Sequence, residues 1–351
     1  MASSSDGTTR PSPRSMTVRV AVTGGWRRAA GAWLAIAGIL AATALATLPA
    51  TLLLARAIEH DLGASLMAER AAGGADLVWW DEFQYRGAPP SFTPGIIGGA
   101  APLTTYSGLL DGATPPPEAL AAAVVAGAVW LFLSGGLLER LARRRRLGTR
   151  GFLAGCGALF FRLLRMAVIT GVLYALLLGP VHGWIFDGLY PWLTRETTVE
   201  RTAAVWRATL YLLWLAPLLA VNLLADYAKV RLVIEDRRSV LGALAAAARF
   251  LRRHAGSAIA VYAVNGVAAG LVLLLYLVIA PGGTGGDWRL LAVLAAGVGY
   301  LAARLFVRAA FLGSAMTLFE GRLAHAAFTA PPVPIWPDSP AAEAIDNAAR
   351  T

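Results

Sequence analysis

The chain has 351 residues, of which 57% are hydrophobic and 15% charged, whereas ordinary soluble domains carry about 25% charged residues. So few polar side chains cannot clothe a water-soluble fold of this size, and long apolar stretches recur, so lipid is the expected solvent. The net charge of +10 comes almost entirely from arginine, with Lys229 the single lysine. Nucleic acid is not an expected partner, because no cytoplasmic segment is large enough to present that charge as a folded surface.

In chain order, residues 1–28 are polar and basic, with Ser3–Ser5 followed by Arg10, Arg14, Arg19, Arg27 and Arg28. A flexible cytoplasmic tail is the expected structure. A membrane domain over 29–328 follows, with six apolar segments at 30–54, 119–138, 165–186, 206–225, 257–280 and 289–312. Each is close to the ~20 residues that cross a ~30 Å hydrocarbon core at 1.5 Å per residue. Backbone groups in lipid must be bonded within their own segment, so each is expected to be a helix. The expected fold class is all-α: a polytopic transmembrane helical bundle of about six spans, with an amphipathic helix at the cytoplasmic interface. Gly31, Ala35, Gly38 and Ala42 recur at helical spacing in the first span and suit close packing. Ala44-Leu45-Ala46 resembles a signal-peptidase site, but the apolar run continues through Leu52-Leu53-Leu54 and the segment is read as a span. Cleavage there would leave five.

Residues 55–118 form the one sizeable external loop. Its start, Ile58 to Ala72, would extend the first helix into water. Leu77-Val78-Trp79-Trp80 beside Asp81-Glu82 reads as an interfacial segment, since Trp favours the headgroup level. Phe92 to Gly99 is apolar yet rich in helix breakers, either a packed loop or a dip into the membrane edge shielded by protein. Pro115-Pro116-Pro117 closes the loop.

Charge orients the spans. With the N-terminus inside, the internal segments 1–28, 139–165, 226–254 and Arg304 onward hold 24 of the 31 basic residues, while the external segments hold 12 of the 21 acids. The positive-inside rule then places both ends in the cytoplasm. The heavy use of Ala, Arg and Gly fits a GC-rich bacterial genome, so the expected location is a bacterial inner membrane.

A weak repeat runs through the middle. Leu137-Leu138-Glu139-Arg140-Leu141-Ala142-Arg143-Arg144-Arg145 closes the second span, and Leu223-Leu224-Ala225-Asp226-Tyr227-Ala228-Lys229-Val230-Arg231 closes the fourth. Phe152–Arg165 and Val240–Arg253 then match as short helices of small and apolar residues ending in arginines. Either spans two and three are duplicated as four and five in a parallel repeat, or basic loops between Leu-rich spans resemble each other by chance.

Two basic elements are expected at the inner face. Over 237–253, Val240, Leu241, Leu244, Ala247, Ala248 and Leu251 make an apolar stripe at helical spacing. Arg237, Arg238, Arg249, Arg252 and Arg253 flank it as candidate contacts for anionic headgroups, although a plain connector between spans has the same pattern. Arg143, Arg144, Arg145 and Arg146 form a run whose commonest role is topological retention and whose other reading is headgroup contact. Residues 329–351, with Pro331, Pro332, Pro334, Pro337 and Pro340, read as an extended cytoplasmic tail.

Chemistry is sparse. Cys156 is the single cysteine, and His60, His182, His254 and His325 show no metal-ligand spacing, so neither a metal nor another cofactor is expected. No Asp or Glu falls inside the six spans as bounded above, which counts against an ion-coupled pump. Candidate intramembrane polar contacts are Asn222, Asn265, Arg304 and Arg308, for which interhelical hydrogen bonds or snorkelling suffice. No nucleophile, phosphate-binding or paired-histidine motif occurs, so the chain is not expected to be an enzyme. Asp81-Glu82 is the least implausible catalytic pair.

The stretch from Asp226 to Leu244, with Arg249-Phe250-Leu251-Arg252-Arg253-His254 after it, is similar to the cytoplasmic connector of uncharacterised bacterial six-span proteins. These are loosely related to the membrane domain fused to some glycerophosphodiester phosphodiesterases. Trp79-Trp80-Asp81-Glu82-Phe83 and Phe92-Thr93-Pro94-Gly95-Ile96-Ile97 also resemble segments of such proteins. The resemblance implies an inner-membrane protein of unassigned role, without the phosphodiesterase activity, whose domain is not in this sequence. The expected function is a non-enzymatic scaffold, assembly or accessory subunit. Its partners would be a bilayer with anionic inner headgroups and a membrane protein or second copy of the chain. The alternatives are a facilitator for a small or lipid-like molecule and a membrane-embedded lipid-modifying enzyme.

Overall fold

All the regular structure in the described residues is helical, as chains that bond their own backbone in hydrocarbon must be. The computed structural model describes residues 17–62, 117–143, 148–279 and 287–328. The helices are α1 (Val18–Gly31), α2 (Trp33–Leu62), α3 (Pro117–Arg143), α4 (Thr149–Leu176), α5 (Tyr190–Thr194), α6 (Glu200–Ile234), α7 (Val240–Ile279) and α8 (Asp287–Phe328). Two π-helical stretches, Leu177–Val181 and Trp184–Leu189, join α4 to α5 as one long rod. Five helices are long and apolar enough to cross a membrane, and α1 with α2, bent by 63°, make a sixth if the pair is one span. The all-α, multi-span architecture is therefore present, with helices longer than the apolar segments alone indicate.

Residues 18–31 are not the expected tail. Thr17 caps α1, its hydroxyl accepting from the Val20 amide at 3.3 Å. The helix buries Ala21, Gly25, Arg28 and Ala29, one continuous face at helical spacing. Chain direction changes at Ala32, whose amide turns back to the carbonyls of Ala29 and Ala30. The carbonyl of Gly31, left open by the bend, accepts from the Arg140 guanidinium of α3.

Glycines set how closely the helices cross. A Cβ on Gly25 would run into the backbone of Ser314, and one on Gly313 would lie 2.8 Å from the Gly25 carbonyl oxygen. On the other side of the bundle, Gly135 and Gly136 of α3 meet Gly155, Cys156 and Phe152 of α4. Of the small residues spaced along the first span, Gly38 has nothing within 4 Å of a notional Cβ, while Gly31 meets Arg140 and Ala35 packs against the core.

One core sits at the basic end. Leu137, Leu141, Leu163, Met166, Leu232 and Phe319 are among its buried members, drawn from α3, α4, α6 and α8. Away from that end each helix buries a single stripe. In α6 only Leu210 and Trp214 are buried before Ala225, in a satellite cluster with Ile185. In α7 no residue beyond Asn265 is buried. Large apolar side chains such as Leu212 and Val278 stand 70% and 76% exposed there, a surface only lipid or a partner can cover. Where the π-helical pitch begins, the Leu177 carbonyl accepts from the Trp214 indole at 2.8 Å, so the altered ladder stays satisfied.

The amphipathic helix forms from Val240, but its stripe does not face acyl chains. Val240, Ala243, Ala246, Ala247 and Phe250 are buried in the protein, while Leu241 is exposed. Phe250 stacks on Tyr227 and meets Phe319 edge-on. The helix departs from helical φ/ψ at His254 and then continues as a span. The corner before it turns through Asp236, whose φ of 44° is tolerated by Asp better than by most residues. Arg162 donates to the Asp236 carboxylate at 2.5 Å and ties the corner to α4.

Two outcomes follow. Gly25→Ala should lower the unfolding temperature of the detergent-purified protein, overpacking the crossing at a cost of about 1–3 kcal/mol, while Gly38→Ala should leave it unchanged. Equal melting of both would remove the crossing's importance. Arg162 holds the Asp236 carboxyl below its ordinary value by hydrogen bond and charge. The folded value is the lower one, so this support is full above the unfolded value of about 4 and is lost as pH falls through the folded value. Protection of the amides of residues 235–239, as exchange rates divided into their intrinsic rates at each pH, should therefore fall in acid in the native protein and be flat with pH in Arg162→Gln.

Candidate functional site

The fourth apolar segment was bounded at residue 225, yet α6 runs unbroken to Ile234. Asp226 thus lies inside a spanning helix, roughly 39 Å from its Glu200 end and roughly 12 Å from Ile234. The apolar segments themselves hold no acid, but the longer spanning helices do: Asp226 lies just past its apolar segment, as Glu139 and Asp187 do past theirs, with Glu320 further on in α8. Its side chain is 3% exposed and faces α8, where Arg308 meets it fork to fork, Nη1 to Oδ2 and Nη2 to Oδ1 both at 2.6 Å. Lys229, one turn on, donates to Oδ1 at 3.2 Å. Taking such ions out of water costs several kcal/mol each, and only near-ideal geometry offsets it. The bidentate guanidinium–carboxylate arrangement is that geometry.

The node draws on four helices. Tyr174 of α4 and Tyr262 of α7 lie within electrostatic reach of Asp226 and Arg308. Tyr262 also meets Phe311 edge-on at 4.8 Å. Tyr227 points away to stack on Phe250, and its buried hydroxyl has no partner among the described residues. Two cations against one carboxylate leave the node positive. The arrangement holds helices in register and offers an attractive field to an anion.

A second ionic clamp closes the basic end roughly 18 Å further along α8. Arg28, buried, donates to both Glu320 oxygens at 3.1 and 2.5 Å and reaches the Leu141 carbonyl at 3.4 Å. One side chain thereby joins α1, α8 and α3. Trp26 donates its indole N–H to Asn265 Oδ1 at 3.0 Å, joining α1 to α7. The Arg231 guanidinium lies 4.9 Å from the centre of the Phe319 ring. Between α1 and α3 a groove of about 510 Å³ is lined by Arg27, Arg28, Arg140 and Thr317.

The structure separates the residues singled out in the sequence. Arg308 does not snorkel but completes the node, and Asn265 makes the interhelical bond expected of it. Asn222 is half-buried one turn before Asp226. Arg304 stands one turn from Arg308, exposed, beside a pocket of about 180 Å³ between α7 and α8. Arg143 pairs with Glu139 on its own helix, and Arg144, Arg145 and Arg146 lie outside the described residues. Arg237 pairs with Glu235, while Arg238, Arg249, Arg252 and Arg253 are exposed. Trp79 to Phe83, with Asp81 and Glu82, and Phe92 to Gly99 also fall outside the described residues. Sequence reading missed Lys229, Glu320 and Arg28 as partners. Their one signal was polar residues on otherwise apolar or small helix faces.

Substitutions at the node should rank by the number of charges they strand. Asp226→Asn leaves two cations without their carboxylate and should cost about 3–5 kcal/mol. Arg308→Met should cost less, because Lys229 still faces Asp226, and Lys229→Met least, since its side chain is partly exposed. Thermal unfolding in detergent reads the order, and equal losses at all three would contradict it. No protein-family model, curated protein or solved structure matches the chain, so its role must be argued from these charges and the surfaces around them.

Proposed function

We propose that the chain is a non-enzymatic scaffold or accessory subunit of a bacterial inner membrane, with both ends in the cytoplasm and its basic end as the docking face. The observation that carries this reading is the packing of residues 240–253. The apolar stripe is spent on the protein's own core, so Arg249, Arg252 and Arg253 project outward from a helix that cannot roll. Long cations on a fixed helix form a surface suited to an acidic partner protein, with anionic headgroups at its rim. The paired charges beneath keep that surface rigid, and a binding surface of fixed shape loses less entropy on association.

A second reading, a facilitator for an anionic lipid-like molecule, is favoured by Asp226 and by the single-stripe packing beyond it. Asp226 is a buried carboxylate at the inner part of a spanning helix, where an anionic cargo would meet the two cations that it holds. Helices that bury one stripe each are freer to part than a fully packed bundle.

A photo-crosslinking residue in place of Ala245, on the exposed side of the same helix, tests the first reading in native membranes. Illumination should give one discrete heavier protein band, lost when Arg249, Arg252 and Arg253 are changed to Glu. A chain that stays monomeric under illumination counts against the scaffold. Saturable movement of a labelled anionic lipid across proteoliposomes, abolished by Asp226→Asn, would favour the facilitator instead.

A further inference from the structure

Arg304 is a cation in an apolar setting, with no partner among the described residues. It lies on α8 roughly 26 Å from Asp287 and one turn outward from Arg308. The only carboxylate nearby in the node, Asp226, is already engaged by Arg308 and Lys229. Among the described residues no acceptor faces the Arg304 guanidinium. Helical side chains lean toward the N-terminus of their helix, and α8 begins at the end opposite the basic face. Arg304 therefore leans toward Tyr300, with which it shares one recess.

The space it leans into is a recess. Arg304, Tyr300 and Val307 of α8 face Ala269, Gly270 and Leu273 of α7 around a pocket of about 180 Å³. Gly270 opens it, with nothing within 4 Å of a notional Cβ. That volume suits one compact anionic group, and is smaller than the ~300 Å³ at which sites for whole small molecules begin. Within a turn of it, Leu271, Leu274 and Leu301 are 60%, 56% and 46% exposed, a surface for hydrocarbon chains.

We propose that Arg304 and the Gly270 recess bind the phosphate of an anionic lipid, with its acyl chains along the exposed leucines of α7 and α8. A guanidinium at the inner edge of a span, with no acceptor among the described residues, calls for an anion, and a lipid phosphate is the anion that the adjoining headgroup layer supplies. The guanidinium fork and the phosphate oxygens match in geometry as well as charge. This site is distinct from the arginine face of residues 240–253 and does not depend on it.

The test is native mass spectrometry of the full-length protein titrated with phosphatidylglycerol, with phosphatidylcholine of identical chains and inorganic phosphate as separate arms. Phosphatidylglycerol should bind at least about tenfold more tightly than phosphatidylcholine. Arg304→Gln should abolish that preference, and Arg304→Lys should keep part of it. Gly270→Leu fills the recess without touching a charge and should abolish it as well, while Arg253→Gln on the basic face should not. Since Arg304 has no described partner and Gly270 faces open space, both variants should melt with the native protein. Undiminished preference in Arg304→Gln, or equal loss in Arg253→Gln, overturns the proposal. Displacement of the lipid by millimolar inorganic phosphate overturns the lipid assignment and leaves free phosphate as the occupant.

Discussion

A guanidinium and a carboxylate can leave water cheaply only in each other's company, and α8 is where this protein applies that rule twice. Arg308 holds Asp226, and Glu320 holds Arg28. Each pair is made between helices distant in sequence, so neither charge is compensated until the bundle has assembled. The apolar core tolerates many arrangements of leucine and alanine. The ionic pairs accept very few, because a shift of one residue along a helix turns a charge toward lipid. Position along the helices is thus fixed by electrostatics, and closeness by the glycines at 25, 136 and 313.

The outcome is a bundle fastened at one end. The core, both ionic clamps and the two glycine crossings all lie toward the basic end, while the rest of α6 and α7 touches its neighbours along one stripe. In water such faces would collapse or aggregate. In hydrocarbon there is no hydrophobic drive to bring them together, and association depends on packing and polar contacts. Tyr276 stacked on Tyr300 at 4.5 Å is one of the few specific contacts in that region. Rigidity near the basic face and looseness beyond it are therefore one property with a common cause.

Much of the architecture was legible because hydropathy is local. A run of twenty apolar residues announces a span whatever surrounds it, and five of the six expected segments lie along the long helices in their described residues, while the first crosses the bend between α1 and α2. Boundaries were less legible. The cut at residue 225 followed the end of the apolar run, but α6 continues because buried neighbours replace lipid as the low-dielectric surrounding of Asp226. The first helix was hidden for the opposite reason. Arg27, Arg28 and two adjacent glycines read as a soluble tail, and only the spacing of Ala21, Gly25, Arg28 and Ala29 marks a buried face. The Asp226–Arg308 partnership could not be read, since 82 residues part its members and either alone has a bland explanation. The stripe of residues 240–253 was legible as a stripe. What it would rest against was not, because acyl chains and a protein core select the same side chains.

The Arg28–Glu320 clamp also carries a consequence for biogenesis. Its two members are 292 residues apart, so at ordinary rates of synthesis roughly 15–60 s separate the emergence of one from that of the other. During that interval the seat for α1, built from Gly313, Ser314 and Glu320, does not exist. The nascent first helix must wait at the aqueous surface with its guanidinium hydrated. Closure of the basic end is then a late, single event, and it occurs only in chains translated through the last described helix.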